Sequence, residues 1–313
     1  MIVDRGAGEV VVVDWGTTSF RAWLVDVGSG RCLDEIPTGH GMRALERQDF
    51  PTYCQAMLSR WRDDPGRLRP PVYMAGMVGS SLGWLTAPQP PLPMGAEGLV
   101  EHAVAAPGMA DAWIIPGVRL QDSATDRIDV MRGEEVQIFG ALLLAGRRDA
   151  VLCLPGTHAK WARVEEGVLV DFATSVTGEL YQAVLDHTIL GRPVDHGAPW
   201  SETAFRLGLD VAKRSGGLLD HLFTARSRHL YGGLGSEAIA SYLSGLLIGH
   251  ELKAMGDRYG APDDVLLVGA EALRRQYETA LATFSRKYRW IAGPDATIAG
   301  VVEVVRKHRP RIG

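Results

Sequence analysis

Apolar residues along this chain fall into short continuous runs that alternate with helical stripes. Residues 10–26, VVVVDWGTTSFRAWLVD, set four valines before a polar bend and a second apolar run after it, which predicts strand, turn, strand over the first 27 residues. Helical spacing of Tyr53, Met57 and Trp61 predicts a helix over 50–63, ended by DPGRLRPP. VYMAGMV (72–78) reads as a buried strand leading into GSSLGW, and WIIPGV (113–118) as another short strand. Between them TAPQPPLPMGAEG (86–98) reads as an ordered surface loop beside a cleft. EEVQIFGALLLAG (134–146) predicts a helix, after which GRRD marks a boundary between a first domain, 1–146, and a second, 147–313.

The second half restarts the opening pattern. Residues 150–172 predict two or three strands joined by PGTHA and EEG turns, and 177–190 and 236–256 predict helices. Residues 265–281 read as strand, Gly-Ala turn and helix, and 295–308 as a helix with Asp295 at its N-cap. The organisation is α/β in two halves that each begin with a β-hairpin. The two opening turns, GTTSFRAW (16–23) and GTHAKWAR (156–163), also resemble each other, which points to an internal duplication.

Composition changes this picture little. A chain of 313 residues, 46% hydrophobic and 22% charged, is an ordinary globular one with room for two domains. The net charge of −4 gives no reason to expect nucleic acid or a membrane surface, and the basic clusters at 206–228 and in KHRPRIG read as solvated faces. Cys32, Cys54 and Cys153 form no CxxC pair and fit structural thiols in a reducing cytoplasm. The N-terminus has no signal-type apolar core, and no run approaches the roughly 18 apolar residues of a membrane span. A cytoplasmic protein is expected, and oligomeric state, a homo-oligomer included, is not readable.

The turns carry the chemistry. In DWGTTS, Gly16 allows close approach of the backbone to a ligand, and Thr17, Thr18 and Ser19 add hydroxyl donors to turn amides that favour an anion. Asp14 would repel phosphate directly but attract a hydrated magnesium ion bound to it, and Arg21 can pair with phosphate through two parallel hydrogen bonds. A tight turn whose hydroxyls merely cap the backbone is the competing reading. The second loop, with Gly156, Thr157, His158 and Lys160, strengthens the phosphate reading, while the absence of GxxxxGK[ST] excludes a P-loop.

On these motifs the chain resembles the sugar-kinase, actin and Hsp70 superfamily. DWGTTSFRA resembles its first phosphate loop, LPGTHAKW its second, and LLVGAEAL (266–273) its adenosine motif, with Ala270 where a second glycine is usual after Gly269. Helices at 134–146 and 295–306 match its two connecting helices, with Gly140, Ala141, Ala299 and Gly300 permitting a close crossing. Together with AGMVGSSLGWLTAP, DVMRGEEVQIFGAL and TGELYQAVLDHTIL, they resemble the 2-dehydro-3-deoxygalactonokinase family. The resemblance implies a two-domain actin-like ATPase (ribonuclease H-like) fold with ATP in a cleft between the domains. It also implies magnesium-dependent phosphorylation of the 6-hydroxyl of 2-dehydro-3-deoxy-D-galactonate, a small sugar acid.

Relatives place an aspartate base in a Gly-Asp-Gln motif before the first connecting helix. Here that segment is Arg132-Gly133-Glu134-Glu135, so Glu134 is the expected base and Glu135 its rival. Both glutamates would also favour a helix N-terminus electrostatically. The substrate carboxylate calls for a cation: Arg132 or Lys160, with Arg43 and Arg119 behind them. Ser80, Ser81 and Trp84 occupy the position where relatives contact the sugar.

Two other patterns compete. Gly79-Ser80-Ser81-Leu82-Gly83 satisfies the GxSxG of serine hydrolases, with Asp186 or Asp195 and His250 as nominal partners, but no HGGG-type oxyanion loop precedes it. Gly233-Leu234-Gly235-Ser236-Glu237-Ala238 mimics a dinucleotide fingerprint without the strand that must come before it. His187, His196, His221 and His229 lack metal-ligand spacing. A kinase for another sugar, or an ATP-binding regulator on the same fold, remains the alternative within the superfamily.

Overall fold

The computed structural model describes residues 8–66, 68–260, 262 and 264–308. The first seven residues and most of KHRPRIG lie outside that range. The chain divides into two compact units. One holds the residues up to Asp149, Val164–Phe172, and Gly293 onward; the other holds Ala150–Arg163 and Ala173–Ala292.

The first unit is built from strands β1 (Glu9–Trp15), β2 (Phe20–Asp26) and β3 (Cys32–Ile36), helix α1 (Phe50–Arg62), strand β4 (Val72–Ala75) and helix α2 (Ala96–Glu101). Strands β5 (Val104–Ala105), β6 (Ala112–Ile114), β7 (Val118–Asp122) and β8 (Arg127–Met131) then lead into helix α3 (Glu134–Ala145). The sheet order is β3-β2-β1-β4-β6-β5, with β7 and β8 as a separate hairpin. Strand β1 runs antiparallel to β2 and parallel to β4, and β4 runs parallel to β6. The valine run is continuous rather than alternating because both faces of β1 are covered. Val11, Val13 and Trp15 pack with Phe50, Cys54, Leu58 and Trp61 of α1. Of the predicted stripe Trp61 is buried, whereas Tyr53 and Met57 are only partly buried and Cys54 and Leu58 take the inner positions.

The remaining chain forms β9 (Ala150–Leu154), β10 (Ala159–Glu165), β11 (Val168–Ser175), and helices α4 (Thr177–His187), α5 (Glu202–Lys213), α6 (Leu218–Tyr231) and α7 (Ser236–Tyr259). It ends with β12 (Asp264–Gly269), α8 (Glu271–Thr283), β13 (Lys287–Ala292) and α9 (Gly293–His308). The second sheet has the order β11-β10-β9-β12-β13, with β12 parallel to both neighbours. The first five strands of the other sheet follow the same winding. The duplication hinted at by two short turns is thus written in the topology.

Several expectations are corrected. The 72–78 strand stops at Ala75, because Gly76 takes φ +96° and a 3₁₀ turn follows. The 113–118 run is split between β6 and β7, and the end of the proline-rich loop winds into α2. The arginines and the lysine of 206–228 are exposed or half-buried as expected, but they fall along two helices, α5 and α6, with Leu209 and Ala212 buried among them and Arg206 paired outward to Glu202 one turn away. Helix α9 starts at Gly293, so Asp295 lies in its first turn rather than at the N-cap.

The expected domain boundary at 146/147 falls just before the division at Asp149, but α9 belongs to the first unit, not the second. Its reason is packing against α3: a β-carbon at Gly140 would lie 1.9 Å from Ala296 O, and one at Gly300 would lie 2.0 Å from Val136 O. Only glycine at both points lets the two backbones touch.

Candidate active site

In the first unit the polar bend lies at the C-terminal ends of β1 and β4, where a parallel pair leaves its loops on one side. Asp14 stands opposite Arg21 in the β1–β2 register, and the Arg21 Nη2 donates to Asp14 Oδ2 at 2.9 Å. Burial pushes the Asp14 carboxyl up while the neighbouring guanidinium pulls it down. Its side chain is 21% exposed, so one edge meets Arg21 and another meets solvent. Arg21, expected to pair with phosphate, is also paired with this carboxylate.

The loop closes through Gly16 N–H to Ser19 O at 2.9 Å, with Thr18 exposed and Gly16, Thr17 and Ser19 half-buried. It is held by a segment that the sequence reading passed over. Met42 and Arg43 amides donate to Gly16 O and Thr17 O, both at 3.1 Å, and Trp15 Nε1 donates to His40 O at 3.1 Å. The signal for it was GHGM: a β-carbon at Gly41 would sit 2.3 Å from the Thr18 carbonyl carbon. Arg43 is exposed beside this contact.

After β4 the chain turns sharply. Ser80 is half-buried, with Oγ 3.8 Å from Met42 Sδ, and Ser81 is exposed, its carbonyl accepting from Arg47. Trp84 is only 4% exposed and packs with Phe50 and Trp15 at ring separations of 6.1 and 6.3 Å. It buttresses the loop from within and offers a sugar no open face. No helix follows Ser81, so the strand–turn–helix elbow that a serine nucleophile needs is not formed. His250, the nominal hydrolase histidine, meets His221 at 2.9 Å instead.

The RGEE segment joins this group directly. A β-carbon at Gly76 would stand 3.4 Å from Asp14 Oδ1, and one at Gly133 would stand 3.1 Å from Gly76 Cα. The start of α3 therefore abuts the β4 turn, which abuts Asp14. The two glutamates have different fates. Glu135 is wholly buried and accepts the Gly133 N–H on both carboxylate oxygens, at 2.9 and 2.7 Å. Glu134 is half-buried, with Oε2 accepting from Arg132 N at 3.1 Å. Arg132 Nη2 donates to Ala87 O at 2.9 Å, and its Nη1 is buried without a hydrogen-bond partner, packed against Gly79. Arg119 Nη1 donates to Gln89 O at 2.8 Å, and its Nε is also buried without a hydrogen-bond partner.

Desolvation, reinforced by the Glu134 charge, pushes the Glu135 carboxyl from an ordinary 4.5 up to about 8. Between those values the folded chain keeps a proton that the unfolded chain gives up, so stability falls as pH rises through that window. The wild-type unfolding free energy should therefore decline from pH 4.5 towards pH 8 relative to that of Glu135→Gln. Parallel pH-dependent melts of the two proteins measure this, and a constant difference would refute it.

The second unit carries the other Gly-Thr loop, between β9 and β10. Thr157 and His158 are exposed, and His158 Nε2 pairs with Glu179 Oε2 at 2.5 Å. Thr157 O accepts from Glu179 N at 2.9 Å, and a β-carbon at Gly178 would stand 2.5 Å from Gly156 O, so α4 begins hard against the loop. Lys160 is buried, with Nζ donating to Thr174 Oγ1 at 2.8 Å. Gly269 and Ala270 form the β12–α8 junction, where a β-carbon at Gly269 would lie 3.5 Å from Pro155. Beside these sits a cavity of about 360 Å³ lined by Gly156, Gly178, Trp200, Ser244 and Leu273 among others. That volume is in the range of small-molecule sites. Trp200 and Ser244 carry no periodic or motif signal, and sequence reading did not single them out.

For magnesium the fit is limited and specific. Among the described residues no group of three or more His, Cys, Asp or Glu could hold a metal ion, so an all-protein cage is absent there. Asp14, a single carboxylate with a solvent-facing edge, suits an ion that keeps its waters. Among the described residues no helix is long and apolar enough to cross a membrane.

Comparison with known proteins places this geometry in context. The profile of a family described as 2-keto-3-deoxy-galactonokinase matches residues 14–304. The 2-dehydro-3-deoxygalactonokinase of Escherichia coli K12 is 33% identical over 294 residues, covering 93% of this chain and 95% of that protein. A crystal structure of a Sinorhizobium meliloti protein assigned as a 2-dehydro-3-deoxygalactonokinase superposes with a TM-score of 0.86 at 31% identity, covering 95% of this chain and 98% of that one. The activator of 2-hydroxyisocaproyl-CoA dehydratase from Clostridium difficile, 12% identical with a TM-score of 0.52 over 97% of both chains, shares the fold alone.

Proposed function

The chain belongs to the 2-keto-3-deoxy-galactonokinase family, and on that premise we propose how its residues transfer the γ-phosphoryl group of ATP to the 6-hydroxyl of 2-dehydro-3-deoxy-D-galactonate. It is a carbohydrate kinase on a two-domain actin-like fold. The observation that carries the residue assignment is the contact chain Asp14–Gly76–Gly133, which sets the start of α3 beside the first phosphate loop.

Glu134 accepts the proton of the sugar-acid hydroxyl as that oxygen bonds to the γ-phosphorus. The bond from that phosphorus to the bridging oxygen breaks, and ADP departs with the electron pair. Glu135 is unsuited to this step, since both its oxygens are engaged by Gly133 N–H and no face of it is open. Gly16 to Ser19, with Arg21, present donors to phosphate oxygens. Gly156, Thr157 and His158 serve phosphate in the second unit, and the cavity beside Gly269 and Ala270 receives the adenosine. Magnesium, when bound, neutralises charge on the phosphate oxygens, and Asp14 would hold it through water.

Arg132 is the cation for the substrate carboxylate. Its Nη1 is buried without a protein acceptor, as are Arg21 Nε, Arg62 Nη1 and Arg119 Nε, but Arg132 alone of these adjoins Glu134 in sequence, and a planar guanidinium suits a carboxylate. Lys160, buried against Thr174, is less suited. Ser80 and Ser81 remain sugar contacts, whereas Trp84 acts only through the loop it supports.

An ATP-dependent screen across 2-keto-3-deoxy acids and common hexoses tests the substrate, and activity confined to neutral hexoses would overturn it. Arg132→Ala should raise KM for the sugar acid about tenfold to a hundredfold, as expected for a lost charge-assisted pair, while kcat changes far less. An unchanged KM would remove Arg132 from the site.

A further inference from the structure

Helix α7 carries a carboxylate that the proposed reaction does not use. Glu251 is 4% exposed, in the interior of the second unit. It nonetheless has three donors, each from a different element. Trp161 Nε1 of β10 donates to Oε1 at 2.8 Å, Tyr277 OH of α8 donates to Oε2 at 2.9 Å, and Thr177 Oγ1 at the start of α4 donates to the same Oε2. Burial pushes this carboxyl up, and the three donors pull it back. A buried acid is tolerated when its oxygens are satisfied in this way.

The donors are not arbitrary. Thr177 and Tyr277 both line the cavity beside Gly156, and Ser244 of α7 lines it from the helix that bears Glu251. Thr177 immediately precedes Gly178, which presses on the second Gly-Thr loop. Helix α8 begins directly after Gly269 and Ala270. One carboxylate thus ties together the strand after the phosphate loop, the helix that supports that loop, and the helix of the adenosine motif.

We propose that Glu251 is a positioning residue for nucleotide binding, setting Thr177 and Tyr277 in the cavity wall through its two carboxylate oxygens. It touches no nucleotide itself. The inference rests on the assignment of this cavity to adenosine.

Glu251→Gln tests it without changing volume. The indole N–H of Trp161 can only donate, so the amide oxygen must stay there. The amide NH₂ then faces Thr177 and Tyr277 and forces both hydroxyls to accept rather than donate. In the full-length enzyme, KM and the dissociation constant for ATP should rise about tenfold, with kcat at saturating ATP and KM for the sugar acid changed less than about twofold. Tyr277→Phe, which removes one donor and no packing, should shift ATP affinity in the same direction by a smaller factor; it decides the matter if Glu251→Gln fails to fold. A lowered melting temperature with unchanged ATP affinity in both variants would mean a purely structural role and overturn the proposal. Ser244→Trp, which fills the cavity, separates the two layers. If it abolishes ATP binding while the other variants bind normally, only the role of Glu251 falls. If it leaves ATP binding intact, the adenosine assignment falls and the proposal with it.

Discussion

Glu134→Gln should lower kcat about a thousandfold, within the roughly 10²–10⁴-fold range of general-base catalysis, while ATP binding measured by titration calorimetry stays within about twofold. The amide keeps the size of the side chain and can still accept from the Arg132 N–H, so the helix start is retained. What it loses is the ability to take a proton. Glu134→Asp should fall between, because the shorter arm withdraws the carboxylate by one methylene. The paired control is Glu135→Gln. Its oxygens already receive the Gly133 amide and are sealed from solvent, so it should alter stability and its pH dependence much more than turnover. If Glu135→Gln abolishes turnover and Glu134→Gln does not, the two assignments are exchanged.

Gly140→Val should destabilise the protein by about 3 kcal/mol or more, the upper range for overpacking a close contact. Even the first added carbon would lie 1.9 Å from Ala296 O and 2.7 Å from Gly300 N, both backbone atoms that no rotamer change can move. Helices α3 and α9 would have to separate, which also strains the hydrogen bond from Gln137 Nε2 to Thr297 Oγ1 at 3.2 Å. Since α3 begins at Glu134, its displacement reaches the proposed base, and activity should fall along with stability. The comparison is Gly217→Ala, where an added β-carbon meets nothing within 4 Å and φ is −105°. That variant should change unfolding free energy by less than about 1 kcal/mol. Chemical denaturation of both variants measures the contrast, and a Gly140→Val protein as stable as wild type would dismiss the crossing as a packing constraint.

The residues of the first site differ in how far they could be read in advance. Asp14 and the Gly-Thr-Thr-Ser bend were legible because a local strand–turn–strand pattern places them, with no long-range contact needed. Gly140 and Gly300 were legible as small residues on two helices, but that these two rather than Ala141 and Ala299 form the contact follows only from helix rotation. Trp84 could be read either as packing or as a sugar contact, and Phe50 and Trp15, distant in sequence, enclose it. The Gly39–Met42 segment was missed because its role is to satisfy backbone carbonyls of another loop, which leaves no hydrophobic period behind.

By itself, then, the sequence determined the alternation of strands and helices, the two glycine-bearing turns and the family, since each depends on residues close together in the chain. Which of Glu134 and Glu135 is sealed in the interior belonged to the tertiary structure. The two are adjacent and chemically alike, and only the turn of α3 buries one against Gly133 N–H while leaving the other half-buried next to Gly133, which abuts Gly76. Placement of α9 in the first unit was likewise decided by backbone contact of Gly140 with Ala296 and of Gly300 with Val136, residues far apart in the chain whose meeting no local pattern encodes.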